Sequence, residues 1–488
     1  MTNWDIFWAL AVIGMTLVIA RMIKSRVTLF ESLFIPSSII AGFLVLLLSP
    51  QVLGQAVRAL IGPDHALVNG IFPDSFAQVW RSLPGLLISV VFAALFLGKP
   101  IPGLREIWMR AGPQVVFGQT LAWGQYVVGI GLCLLVLTPV FGTNPLAGAL
   151  IEISFEGGHG TAAGMAETFR ALDFEEGADL ALGLATVGLL SGVLFGTVLI
   201  NWAARRGTIQ LADRKRVRIR DTQKTMPTDV DSMREWNDIR WEREQAARPT
   251  DPLSMHLGVV GLAVGIGWLI RQALIWIETV TWGGPDGVVI IGYVPLFPLA
   301  MIGGVIVQLV VTKTKQEHHV NRRLMNRISG TALDFTIVAA LGTLSLAAIG
   351  DHLAPFILLA VAGIGWSLFG VVYLAPRLIP LNWFERGVGD FGQSMGVTVT
   401  GLLLMRMADP NNESGALESF GYKQLLFEPI VGGGLFTAAA MPLMAQFGSV
   451  FVLVLTGTIT VLWLVFGYWV FGRKIASHAK QGGSMRVT

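Results

Sequence analysis

Apolar runs of bilayer-spanning length recur through this chain, and they constrain its fold more than any other feature. They fall near residues 5–22, 33–49, 83–98, 113–139 and 178–203, then near 255–280, 292–312, 331–349, 354–376, 424–446 and 449–471. A helix needs about 20 mainly apolar residues to cross a bilayer. In lipid, only helices or closed barrels satisfy every backbone polar group internally. Runs of this length predict an all-α polytopic membrane protein. Of 488 residues, 53% are hydrophobic and only 14% charged, against roughly a quarter charged in ordinary soluble domains. The first run follows Asp5 and precedes Arg21, Lys24 and Arg26, so it reads as an uncleaved first helix and not a signal peptide. A single cysteine, Cys133, excludes an intrachain disulfide. The net charge of +3 is accounted for by loop topology and gives no reason to expect nucleic acid as a partner.

Lys and Arg concentrate in cytoplasmic loops. Arg21, Lys24, Arg26, Lys99, Arg105, Arg110, Arg205, Arg206, Lys313, Lys315, Arg322, Arg323, Arg327, Arg473 and Lys474 then all fall on one side. This places the N-terminus outside and the C-terminus in the cytoplasm. Five spans before a polar connector (205–253) make the second half enter the membrane in the opposite sense. We therefore expect two inverted five-span repeats, 1–204 and 254–447, and an additional helix and tail over 448–488. Pro36-Ser-Ser-Ile-Ile-Ala-Gly42 and Pro298-Leu-Ala-Met-Ile-Gly-Gly304 stand at the start of the second span of each half and support the repeat.

Within the halves, Phe-Glu-x-Gly-x-Gly occurs twice, at Phe155–Gly160 and Phe384–Gly389. Each copy interrupts an apolar stretch, so 146–169 and 384–407 read as re-entrant hairpins. Irregular backbone at membrane depth is tolerated where it is buried in protein or lines a cavity. Paired glycine-broken segments in two halves point to a transporter's binding site. In the first hairpin Ser154, Glu156, Gly158, His159, Gly160 and Thr161 are substrate-site candidates, with Gln125 on the fourth span and Gly389, Gln393 and Ser394 in the second hairpin. Asp390, Glu156, Thr161 and Thr398 are the candidate cation ligands, because intramembrane carboxylates are costly and usually line a pathway or pair. Matching Gly158-His159-Gly160 to Gly387-Val388-Gly389 sets Thr161 opposite Asp390. His159 reads equally as a structural hydrogen-bond donor or a ligand contact. Glu385 reads equally as a surface partner of Arg386. Asp334 and Glu428 lie near span ends, where solvation is the expected fate, and Gly188, Gly192 and Gly196 form a packing stripe.

Gly157-Gly158-His159-Gly160-Thr161, Gln125-x3-Gly129-Ile130-Gly131 before it, Ala185-Thr186-x-Gly188-Leu189-x2-Gly192 after it and Ile35-Pro36 together resemble the bacterial glutamate:sodium symporter family. The resemblance is strongest in the first half. It implies a homodimeric secondary transporter of the bacterial inner membrane, with sodium as coupling ion, a small anionic substrate, and a transport domain moving like an elevator against a dimer scaffold. No organic cofactor is expected, and no metal beyond sodium, since no second His or Cys stands at ligand spacing from His159. The family's second hairpin reads closer to Gly-His-Cys-Gly-Phe-Gly, where this chain has Gly387-Val388-Gly389-Asp390-Phe391-Gly392. Glu156 also replaces a small polar residue, so two added carboxylates bear on substrate and coupling ion.

The alternatives are a proton-coupled exchanger or exporter using Glu156 or Asp390, and a non-transporting sensor docking a partner on an amphipathic helix within 233–244. An enzyme is not signalled: the chain has neither His-Glu-x-x-His nor a P-loop.

Overall fold

A computed structural model describes residues 2–32, 35–209, 251–283 and 287–473. The expected connector falls almost wholly on 210–250, outside the described residues, as do the amphipathic helix read at 233–244 and the tail after 473. The described residues are built from helices. Eight of these are long and apolar enough to cross a membrane, in keeping with a polytopic membrane protein.

The first half runs through α1 (Asn3–Arg26), α2 (Ser37–Leu47), α3 (Asp74–Ala93) and α4 (Leu104–Leu132). A broken segment follows, α5 (Leu150–Phe155) and α6 (Gly158–Gly164), and then α7 (Gly177–Arg205). The second half contains α8 (Pro252–Thr281), α9 (Phe297–Lys313), α10 (Arg322–Gly342) and α11 (Leu353–Phe369). It closes with α12 (Trp383–Ala408), α13 (Ala416–Phe427), α14 (Leu435–Phe447) and α15 (Ser449–Gly467).

Local chemistry sets several of these boundaries. Thr2 and Asp5 form a capping box at the start of α1, satisfying two orphan N–H groups. Asn321 accepts from the backbone N–H groups of Arg323 and Leu324. That cap starts α10 well before the apolar run at 331–349, so its first turns are charged.

Helices α1, α2, α3, α8, α9 and α10 pack mainly on one another, and α4 packs on α11, α13 and α15. Glycine allows close crossings in the first group. A Cβ on Gly42 would stand 2.6 Å from Leu341 Cβ, and one on Gly267 would stand 2.6 Å from Ala300 Cα. Close backbone approach is how helices associate where apolar surface alone gives no drive. Outward faces stay apolar, as with the exposed Val450, Val454, Val461, Leu462 and Val465 of α15.

Two expectations are corrected. The run 424–446 is not one span: α13 stops at Phe427, and Gly432 and Gly433 take φ +71° and +99° before α14 begins. Positive φ suits glycine, which lacks the Cβ that would clash. In the second half, Gly387-Val388-Gly389 does not break its helix. The non-helical residues of α12 are Gly396 (φ −156°, ψ 44°) and Val397 (φ 58°, ψ 179°), so the match of Gly158–Gly160 to Gly387–Gly389 fails. Residues beyond the break fold back along those before it. A Cβ on Gly392 would lie 2.8 Å from Gly401 Cα, and one on Gly389 would lie 2.7 Å from Met405 Cγ. These glycines serve the contact between the two arms.

Candidate functional site

The two breaks meet. Gly158 has φ +68°, and a side chain there would run into Val397 Cγ1 at the break of α12. Helix α7 lies against the same place: Gly188 faces the Met395 carbonyl, a Cβ on Gly192 would lie 2.8 Å from Met395 Cβ, and Gly196 faces Leu404. The glycine stripe on α7 is thus the bed on which the α12 break rests.

Side chains from α4, α7, α11, α12 and the α5–α6 break converge on this junction. Glu156 is 2% exposed; its Oε1 accepts from the Ser394 hydroxyl and its Oε2 has no hydrogen-bond partner. Gln125 of α4 donates to the Ser394 carbonyl at 2.7 Å, which also accepts from Ser367 at 3.4 Å. Gln125 Oε1, Ser154 Oγ and Thr161 Oγ1 are buried without partners. His159 is spent locally: its Nε2 lies 2.9 Å from Thr186 Oγ1, whose hydroxyl donates to the Leu182 carbonyl at 3.1 Å. That commitment leaves the threonine oxygen to accept from His159 Nε2–H, a tautomer assigned from the network. Gly160 packs on the side chains of Ile88 and Leu333.

The stretch 428–434 is a third broken segment at the junction, one the apolar pattern conceals. Glu152 anchors it. Tyr126 donates to Glu152 Oε2 at 2.5 Å, and the Gly432 N–H and the Thr437 hydroxyl donate to Oε1 at 2.7 and 2.9 Å. The carboxylate is therefore satisfied, as a buried charge requires. A Cβ on Gly433 would lie 2.7 Å from Thr161 Oγ1, so this loop closes over the first break. Glu428 is not solvated as expected. It is 8% exposed, its Oε1 accepts from Thr398 at 3.0 Å, and its Oε2 has no partner. Thr398, a candidate cation ligand, is thereby joined to a carboxylate whose place near a span end predicts solvation.

Asp390 does not face Thr161. It sits in the first arm of α12, with Oδ1 2.7 Å from Lys423 Nζ and Oδ2 unpartnered. Lys423 also donates to Gln393 Oε1 at 2.9 Å, and Gln424 donates to the same oxygen at 2.7 Å. The ammonium stands 3.9 Å from the Phe427 ring centroid and 5.3 Å from that of Phe420, within reach of a cation–π attraction. Lys423 is 1% and Asp390 0% exposed. Sequence reasoning missed Lys423 by starting a span at 424. Its signal was a lone lysine inside Phe420–Phe427, where no second charge lies beside it before Glu428. Gly389 takes no part in the junction, since it faces Met405.

The junction is rich in acceptors. Ser154 Oγ, Glu156 Oε2, Thr161 Oγ1 and Gln125 Oε1 are buried without a partner, as is Glu428 Oε2 on the loop that follows α13. Unwound backbone and oxygen ligands of this kind suit an alkali cation, and the carboxylates supply the charge to hold one. Among the described residues, no three His, Cys, Asp or Glu side chains cluster as ligands for a metal ion.

A family described as Sodium/glutamate symporter matches residues 114–379, which include Gln125 and the whole first break but not Asp390, Ser394 or Lys423. The chain is also similar to a Sodium/glutamate symporter of Haemophilus influenzae, at 27% identity over 200 residues. That alignment covers 40% of this chain and 43% of the relative, so it spans less than half the length of the relative. Because the family match extends over more than half of the chain and carries the first break and its glutamine, the protein belongs to the sodium/glutamate symporter family.

Proposed function

We propose that the protein is a sodium-coupled secondary symporter for glutamate or a related small anionic amino acid or carboxylate, and not an enzyme. The observation that carries this reading is the meeting of Gly158 and Val397 at two helix breaks, beside unpartnered oxygens of Glu156, Gln125, Ser154 and Thr161. An anionic substrate cannot enter such a site unless its carboxylates are first neutralised. Sodium at Glu156 and its neighbours would do this and order the breaks. Sodium then raises substrate affinity, and by linkage substrate raises sodium affinity by the same factor. Ser154, Thr161, Gln125 and Ser394 would contact substrate or ion through hydroxyls and amides.

The proposed frame is two inverted repeats, 1–204 and 254–447, with re-entrant hairpins near 146–169 and 384–407. It would lie in a bacterial inner membrane as a homodimer, with the N-terminus outside and the C-terminus in the cytoplasm. The packing of α1, α2, α3, α8, α9 and α10 as one group, beside a second group around α4, α7 and α12, supports an elevator-like motion of the second group.

A proton-coupled exchanger is the second reading, favoured by the carboxyl oxygen of Glu156 that lacks a donor. Uptake of labelled glutamate and aspartate into proteoliposomes, under separate sodium and pH gradients, decides between the two. Uptake driven by sodium alone supports symport. Uptake driven only by a pH gradient replaces sodium with a proton, and none under either gradient rejects both substrates.

A further inference from the structure

We propose that Lys423 is a tethered cation, its ammonium filling a monovalent-cation position that a free sodium ion would otherwise occupy.

The position is a built one. Asp390 Oδ1 and Gln393 Oε1 coordinate the ammonium at 2.7 and 2.9 Å, and the Phe427 ring covers it at 3.9 Å. On the α4 side the room exists because residue 118 is glycine: a Cβ there would lie 2.6 Å from Lys423 Nζ. Asp390 is fully buried; its Oδ2 has no well-formed hydrogen bond, and the side chains of Gln114 of α4 and Arg386 act on the carboxylate. A carboxylate oxygen, an amide oxygen and an aromatic face are a ligand set for a small monovalent cation, whichever cation arrives.

The position is also continuous with the candidate site. Gln393, which holds Lys423, is followed by Ser394, whose hydroxyl donates to Glu156. Lys423 and Asp390 both act electrostatically on Glu156. Lys423 thus supplies a fixed positive charge close to Glu156 and Asp390, beside the further charges of Glu152, Glu428 and Arg386. A side-chain cation cannot leave with the substrate. It holds the first arm of α12 to α13 through the cycle and removes one coupling ion from the count.

The inference rests on the sodium-coupled reading only for the choice of ion. The test is the number of radiolabelled sodium ions bound per purified full-length chain, in alkaline buffer with choline as the replacement cation. The wild type, Lys423→Gln, Lys423→Met and the double variant Asp390→Asn/Lys423→Met are compared. The expected result is one additional sodium per chain in each lysine variant, and the wild-type number in the double variant. Lysine variants that bind no more sodium than the wild type overturn the proposal. So does a double variant that also gains an ion, because the gain then does not come from Asp390. Lysine variants that cannot be recovered folded even in high sodium overturn it too, since sodium then cannot replace the ammonium. A wild type that binds no sodium would reject the symporter reading and leave this comparison intact.

Discussion

Gly158 and Val397 oppose one another across the junction of two helix breaks, and both have positive φ, +68° and 58°. A β-branched residue at positive φ is strained, at a cost on the order of 1–3 kcal/mol that the surroundings must offset. The Val397 side chain has room here because Gly158 offers no side chain against its Cγ1. Gly158→Ala adds a Cβ that meets Val397 and strains its own backbone. Uptake into proteoliposomes should fall at least tenfold. The double variant Gly158→Ala/Val397→Ala removes the clash and should recover part of the loss. Equal losses in both would show that the contact does not shape the junction.

Glu156→Gln keeps an oxygen for the Ser394 hydroxyl but removes the charge. If Glu156 neutralises a coupling ion, half-saturating sodium for uptake should rise more than tenfold, with the fold unchanged. Sodium titration of uptake measures this, and an unaltered sodium dependence would remove Glu156 from the ion site.

Asp390→Asn alone strands the Lys423 ammonium in a site 1% exposed. Breaking a buried pair from one side costs about 3–5 kcal/mol, whereas replacing both partners with neutral groups is often near neutral. Asp390→Asn should lower the thermal midpoint of the purified protein markedly, and sodium should not restore it, because the uncompensated charge is positive. Asp390→Asn/Lys423→Met should unfold near the wild-type temperature. A single variant as stable as the double would mean the ammonium finds another partner.

Glu152 holds the Gly432 N–H and the Thr437 hydroxyl, and Tyr126 closes its other oxygen. Hydrogen bonds to a charged group contribute about 1.5–3 kcal/mol each. Glu152→Ala should release the 428–434 loop from the first break and destabilise the protein more than Tyr126→Phe does. Hydrogen exchange across 428–434 should rise in Glu152→Ala while exchange in α1 stays unchanged. Uniform loosening would assign Glu152 to general packing.

Local composition was enough for the membrane-spanning class, the approximate place of most apolar helices and the first break, because bilayer thickness and backbone satisfaction act on it directly; the run 424–446, which splits at Gly432-Gly433, was not readable this way. The stretch around Gly157-Gly158-His159-Gly160 was legible for that reason: a carboxylate and three glycines inside an apolar run have few structural uses. Tertiary structure decided what each glycine was for. Gly389 and Gly392 let two arms touch, while Gly396-Val397 makes the break; the same residue type serves packing in one place and irregular backbone in another. It also decided the charges. Glu428 looks like a span-end residue, and Lys423 and Glu152 carry no local mark of function, until distant helices close around them. Whether a buried charge is satisfied depends on partners hundreds of positions away, such as the Gly432 N–H that meets Glu152. No local pattern encodes that pairing.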